Sequence, residues 1–290
     1  MRISHNISAM NTYRQYNTNT VNTNKSMEKL SSGFRINRAA DDAAGLSISE
    51  KMRSQIRGLT QATRNAQDGV SFIQTAEGAL NEVSDMLTRM KELAVQVKNG
   101  TYSADDQTNI SSEMKALGTA VAEIYVNTKF NGKQVFGAQT LTTGAGAGAL
   151  TSIAAGDNPA AAATIYYGED GAQSVAIGTA LTNDLNLLTV QTITGNISAV
   201  ANLVTLVENG ITQVNTTRAN YGALQNQLEH ASNNMATTKE NLQAAESRVR
   251  DVDMAEEMMS YTKNNILLQA AQAMLAQANA QPQGVLQLLQ

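Results

Sequence analysis

"AAGLSISEKMRSQIRGLTQATRNAQDGVSFIQTAEGALNEVSDMLTRMKELAVQVK", residues 43–98, contains no proline, and its apolar residues recur at alternating spacings of three and four. Ile56, Leu59, Ala66, Val70, Ile73, Leu80, Val83, Leu87, Met90, Ala94 and Val97 fall on one stripe. That period belongs to an amphipathic helix with one covered face. Asp41 and Asp42 precede the stretch, where carboxylates cap free N–H groups and meet the positive helix end. Asn99-Gly100 follows it, a helix stop signal. One helix over 43–98 would be roughly 80 Å long at 1.5 Å per residue. So long a helix reads as coiled coil rather than as part of an ordinary globular core.

Working outward, "TYSADDQ" supplies a cap for a second helix striped by Ile110, Met114, Leu117, Val121 and Ile124. "KFNGKQVFG" then places Asn131-Gly132 between two short β-type runs, a hairpin signal. Residues 137–182 are rich in Gly, Ala and Thr, and "TIYYGEDGAQSVAI" reads as strand, turn, strand. Helix is expected again from about 183. Its core positions run from Val207 through Ile211, Val214, Arg218, Tyr221, Leu224, Leu228, Ala231, Met235 and Thr238 to Val252. Arg218 and Thr238 are polar breaks that can set register. The expected fold is therefore mainly α: a long antiparallel helical bundle or coiled coil with a small β-hairpin insert. The segments expected are 1–40 and 251–290 as terminal helices, 41–136 and 183–250 as the two halves of the rod, and 137–182 as the insert.

Composition narrows the function. The chain has 290 residues, 42% hydrophobic but only 4% aromatic, with two prolines, no Trp and a net charge of -4. No basic block marks a nucleic-acid surface. With no cysteine, there is no disulfide, thiolate metal site or cysteine nucleophile. Two histidines, His5 and His230, form no HExxH motif. Asp41 and Asp42 have no nucleophile or pocket beside them, and capping explains them. The "RVRDVDMAEE" cluster reads as a helical salt-bridge surface; a calcium loop would need a turning glycine. These readings exclude an enzyme and leave no cofactor or metal to assign. No apolar run reaches the length needed to cross a membrane, and the N-terminus does not read as a cleavable secretory signal.

The two ends pose the functional question. After Lys263 no charged residue occurs up to Gln290. Leu268, Ala271, Leu275, Ala278, Val285 and Leu289 repeat at three and four, and the N-terminal segment carries Ile3, Ile7, Met10 and Val21. Isolated amphipathic helices are marginal in water and need partners. Pairing the two ends would cover one stripe of each and leave an uncharged surface facing outward. Such a surface marks a protein or membrane contact. Interfacial membrane helices carry Lys or Arg on the polar face, and this one carries none. Self-association suits it, and head-to-tail contacts that do not close build filaments.

"LSSGFRINRAADDAAGLSISEKMRSQIRGLTQATRNAQDGVSFIQTAEGALNEV" with "LTRMKELAVQ" resembles the N-terminal region of bacterial flagellins. "RVRDVDMAEEMMSYTKNNILLQAAQAMLAQANAQPQGVLQLL" resembles their C-terminal region. The likeness covers roughly residues 1–136 and 200–290. It implies a structural subunit of the extracellular flagellar filament, in a short form without outer variable domains. Ile3, Ile7, Met10, Leu268, Leu275, Val285 and Leu289 would form the polymerisation core of an inner coiled-coil layer. The terminal Gln290, where enterobacterial flagellins end in Arg, implies altered packing at the channel wall. The alternative within the superfamily is a hook–filament junction protein; a flagellin carrying a protease would need HExxH in its middle.

The resemblance also implies partners: further copies of the chain, an export chaperone on the C-terminal segment, the filament cap and the hook-junction proteins. Passage through the flagellar type III export channel would account for the lack of a signal peptide. "LTRMKELAVQ" is the family segment read by vertebrate Toll-like receptor 5, which points to Arg89, Leu93 and Glu113 as receptor contacts. The plain reading of the two charges is helix-surface packing.

Overall fold

The computed structural model describes residues 6–99, 101–136, 139–143, 150–155, 163–167, 173–177 and 200–288. Ile3, His5 and Leu289, the helix expected over 183–199 and much of the insert lie outside the described residues. The described chain holds helices α1 (Ile7–Ser32), α2 (Ala43–Lys98), α3 (Ala104–Asn127), α4 (Val200–Arg250) and α5 (Met254–Leu288). Strands β1 (Lys129–Phe130) and β2 (Lys133–Gln134), β3 (Gln139–Thr143) and β4 (Leu150–Ala155), and β5 (Ala163–Tyr166) and β6 (Ser174–Ile177) pair as three antiparallel hairpins. The fold is mainly α, as expected. It divides into two compact units, one of Met1–Ile56 with Glu240–Gln290 and one of Arg57–Lys239.

In the second unit, α2 and α4 run antiparallel. Lys91 pairs with Glu208 at 2.9 Å, Glu77 with Arg218 at 3.9 Å, and Gly69 faces Leu228. On α4 the buried residues Val207, Val214, Tyr221, Leu228 and Met235 fall every seventh position, the heptad of a coiled-coil seam. On α2 the core is wider than the predicted stripe. Ala62, Phe72, Ala76 and Leu93 are buried as well as Leu80, Val83, Leu87 and Met90. For Leu93 the reason is a second neighbour: Leu93 and Ala94 meet Met114, Ile110 and Leu117 of α3 as well as Leu203 and Val204 of α4. A helix touched on two sides buries more than one stripe. Of the predicted polar breaks, Arg218 sits in the seam beside Glu77, whereas Thr238 is exposed.

Local signals explain where these elements start and stop. Ser103 caps α3: its hydroxyl accepts from Asp106 N–H, and the Asp106 carboxylate accepts from Ser103 N–H, a reciprocal capping box. Asn131 and Gly132 both have positive φ, 50° and 79°, as a two-residue type I′ hairpin requires. Phe130 and Phe136 bring that hairpin back to the bundle through edge-on ring contacts with Phe72 at 5.7 Å and Tyr125 at 4.9 Å. The β5–β6 hairpin lies on α2, where Ile165 fills the space that a Cβ on Gly69 would take and Asn65 Nδ2 donates to the Tyr166 carbonyl at 3.1 Å.

In the first unit a knot of main-chain bonds joins the α1–α2 connection to the α4–α5 break. Gly33, at φ 74°, ends α1 by donating to the Lys29 carbonyl at 2.8 Å. Phe34 then forms an antiparallel bridge with Asp251. Arg35 N–H donates to the Arg250 carbonyl at 2.7 Å, and Val252 N–H to the Gly33 carbonyl at 3.1 Å. Arg250 itself lies over the Phe34 ring, 4.8 Å from its centroid, and donates to Glu50 Oε1 at 2.8 Å. That bond holds the Glu50 carboxyl below its ordinary pKa.

Two sequence readings are corrected here. "RVRDVDMAEE" is not one helical stretch: α4 ends at Arg250, and Asp253 caps a new helix by accepting from Ala255 and Glu256 N–H. The edge-strand contact with Phe34 takes the place of the helical turn. Asp41 does not cap α2. Its carboxylate accepts from Asn37 and Arg38 N–H, and the Arg38 bond is the main cause of its lowered pKa. Asp42 does the capping, by accepting from Gly45 N–H at 2.9 Å. A Cβ on Gly45 would strike both that carboxylate and Ile36.

Tyr125 of α3 and Tyr221 of α4 are both buried, and neither hydroxyl has a hydrogen-bond partner among the described residues. Burial pushes the Tyr221 hydroxyl up to about 12 and raises that of Tyr125 further. Both groups therefore hold their protons more tightly folded than unfolded. Their contribution is complete below the ordinary tyrosine value and is lost as pH rises through the raised ones. Circular dichroism across pH 9–13 is expected to show cooperative alkaline unfolding. Tyr125→Phe should move it to higher pH and leave neutral-pH stability unchanged or raised by about 1 kcal/mol. A marked loss of stability at neutral pH would contradict this account.

Candidate assembly surface

α1 and α5 pack on each other in antiparallel fashion. Asn6 caps α1 by accepting from Ala9 N–H and uses its amide to donate to the Ala278 carbonyl, at 2.8 Å, near the far end of α5. At the other end Lys29 reaches Glu257 at 3.8 Å. The residues of α5 that this pairing covers recur at Leu268, Ala271, Leu275 and Ala278, as the three-and-four spacing predicts.

The covered face of α1 differs from expectation. Its buried residues are Thr23 and Ser26, with Thr12, Tyr16 and Thr20 half-buried around them. The apolar residues Ile7, Met10, Tyr13 and Val21 are exposed, Ile7 at 69%. Pairing thus covers an apolar stripe of α5 but a polar stripe of α1. Small hydroxyl side chains let the two helices approach. The three threonine hydroxyls are satisfied within their own helix: Thr12 on the Ser8 and Ala9 carbonyls, Thr20 on Tyr16, Thr23 on Asn19. Burial therefore leaves none of these three donors stranded.

The larger apolar side chains are left outside. Among the described residues fifteen large hydrophobics are exposed; five are on α1 and six on α5. Those on α5 are Met254, Met258, Met259, Ile266, Leu267 and Met274. Charge is thin around Ile7, Met10, Tyr13 and Val21 and around Ile266, Leu267 and Met274, whereas Met254, Met258 and Met259 stand among Asp253, Glu256 and Glu257. Residues 7–24 include one charged side chain, Arg14, and residues 264–288 include none. Scattered exposed apolar residues are ordinary, but a concentration on one helix pair marks a contact surface.

Of the predicted polymerisation residues, Ile7 and Met10 lie on this open surface, while Leu268 and Leu275 lie on the side that meets α1. Val285 belongs to the last turns of α5; Ile3 and Leu289 fall outside the described residues. Periodicity finds the stripe that a helix buries in its own chain. Ile266, Leu267 and Met274 were missed because they lie off that stripe; their signal was apolar side chains on a face with no charge to solvate it.

The second candidate surface lies on α2 and α3. Arg89 Nη1 donates to Glu92 at 3.0 Å, and its Nε and Nη2 donate to Glu113 Oε1 at 3.2 and 3.0 Å. These two carboxylates, Glu92 first, raise the Arg89 pKa. Arg89 and Glu113 are exposed, and their bond ties α2 to α3. Leu93 is not with them on the surface: it is 2% exposed, packed between α3 and α4. Its side chain supports the surface from beneath. Among the described residues no group of acidic or imidazole side chains is placed to hold a metal ion, and no helix is long and apolar enough to cross a membrane.

Comparison with known proteins places this architecture. The bacterial flagellin N-terminal helical region matches residues 3–140, and the bacterial flagellin C-terminal helical region matches residues 204–289. A flagellin of Bacillus subtilis (strain 168) is 48% identical over 303 aligned positions, spanning the whole of both chains. A flagellar filament 33 kDa core protein of Treponema phagedenis is 44% identical, again over the whole of both. The crystal structure of Bacillus cereus flagellin aligns with 59% of this chain and 88% of its own, at 26% identity and a TM-score of 0.46. With both terminal regions matched and relatives alike from end to end, the chain belongs to the bacterial flagellin family.

Proposed function

We propose that this chain is the subunit of an extracellular flagellar filament that serves swimming motility, and that copies join through the open face of the α1–α5 pair. The observation that carries the reading is the set of exposed apolar residues Ile7, Met10, Tyr13, Val21, Ile266, Leu267 and Met274, in two stretches that together hold one charged side chain. Covering that face with a neighbour's removes apolar surface from water at ~25 cal/mol per Å², and each subunit of a helical lattice touches several others. Ile7 and Met10 of α1, with Ile266, Leu267 and Met274 of α5, make the intermolecular contact. Leu268 and Leu275 hold the pair together beneath it. The protein is structural, not an enzyme.

The full-length likeness to flagellins, one of them named for the filament core, favours a filament subunit over the hook–filament junction protein. A surface this apolar needs cover before assembly. That supports an export chaperone on the C-terminal segment, passage through the flagellar type III channel, and the filament cap and hook-junction proteins as neighbours at the two ends of the polymer. The free subunit is recognised by Toll-like receptor 5 through the exposed Arg89–Glu113 pair, with Leu93 shaping the helix surface from below.

Two experiments test this. Removal of residues 264–290, or Ile266→Asp on the open face, should leave a helical monomer whose addition to filament seeds falls at least tenfold; seed extension at the parental rate by both proteins would refute the assembly surface. In a binding assay with the receptor ectodomain, Arg89→Ala should weaken the monomer's affinity at least threefold while its thermal midpoint stays within a few degrees. Leu93→Ala, by contrast, should cost stability as a core truncation does, about 3 kcal/mol, and so lower the midpoint clearly. Unchanged receptor affinity in Arg89→Ala would refute the receptor reading.

A further inference from the structure

The open face of the α1–α5 pair is rich in one element. Six of the twelve methionines, Met10, Met27, Met254, Met258, Met259 and Met274, belong to the two helices of this pair, with 48% to 68% of each exposed. Met90, Met114 and Met235 lie in the core of the other unit, between 2% and 6% exposed. The chain has no cysteine, so its sulfur chemistry is thioether chemistry alone. A thioether is soft and apolar and fits an adaptable contact. Its sulfoxide is polar and chiral and disrupts methionine-rich interfaces.

We propose that these six methionines form an oxidation-sensitive modification site that controls whether the free subunit can join the polymer. The inference rests on the open face being the assembly surface. The step is a two-electron oxidation by hydrogen peroxide: the sulfur lone pair attacks one peroxide oxygen, the O–O bond breaks, an S–O bond forms, and water leaves after proton transfer. The peroxide is reduced and the sulfur oxidised. Exposure sets which sulfurs react in the monomer. Once the face is covered by a neighbour, the same sulfurs are shielded. A sulfoxide formed before joining makes an apolar side chain polar and bulkier, and its oxygen must be desolvated when the contact closes. With no thiol in the chain, reversal requires a methionine sulfoxide reductase and its thiol reductant.

The test uses the full chain. Purified monomer is treated with hydrogen peroxide until each exposed methionine is about half oxidised, then added to filament seeds. The pellet and supernatant are separated, and sulfoxide is located by mass spectrometry of peptides. Sulfoxide at the six positions is expected to be at least tenfold depleted in the pellet, with Met90, Met114 and Met235 unmodified in both fractions. Equal sulfoxide at the six positions in pellet and supernatant would overturn the proposal. In parallel, M254L/M258L/M259L, which keeps volume and removes three of the sulfurs, should retain after peroxide at least threefold more of its own untreated seed extension than treated parent retains of its own; equal inhibition of the two would also overturn it. Untreated parent that fails to extend seeds would instead overturn the assembly surface itself, so the two failures are separable.

Discussion

Which side of α1 touches α5 decides what the ends of this molecule present to their surroundings. The contact is made by threonine and serine on one helix and by leucine and alanine on the other. Hydroxyls bonded to their own helix cost little to bury and take little room, so the pair closes without using Ile7, Met10, Tyr13 and Val21 of α1. Those side chains remain outside. Had the usual preference held, with the apolar stripe of each helix facing the other, the terminal pair would be a finished structure with a polar exterior.

The second unit follows the ordinary preference. Its seam repeats every seven residues on α4, and α2 is covered by both α3 and α4. Every large aliphatic side chain of that seam is used inside the molecule. The knot around Gly33, Phe34 and Arg250 is the local device that lets one chain contain both behaviours. It ends α1 and α4 within a few residues of one another and restarts the second strand of the pair with an Asp253 cap. Arg250 is a stacked cation rather than a generic charge: its guanidinium meets an aromatic face and a carboxylate together.

Much of the fold was legible because its signals are local or periodic. The bounds of α2, the Ser103 cap and the Asn131-Gly132 turn each follow from residues within a few positions of one another. The break between α4 and α5 was not legible, because it depends on a bridge from Phe34 to Asp251, more than two hundred positions apart. Leu93 was pointed to as a receptor contact by resemblance alone, and its burial against α3 and α4 could not be read from the stripe it interrupts. The outward set on α5 was hidden for a related reason. Periodicity reports the face a helix hides in its own chain, and Ile266, Leu267 and Met274 hide nothing there.

The hydrogen bond from Asn6 to Ala278 spans 272 positions of the chain. Closing so large a ring costs conformational entropy that grows with the logarithm of its length. A contact made partly of hydroxyl groups returns little toward that cost. The heptad seam of the middle is hydrophobic and returns far more. The terminal pair is thus the part of the molecule whose closure returns least, and local opening is expected there before it reaches the heptad seam.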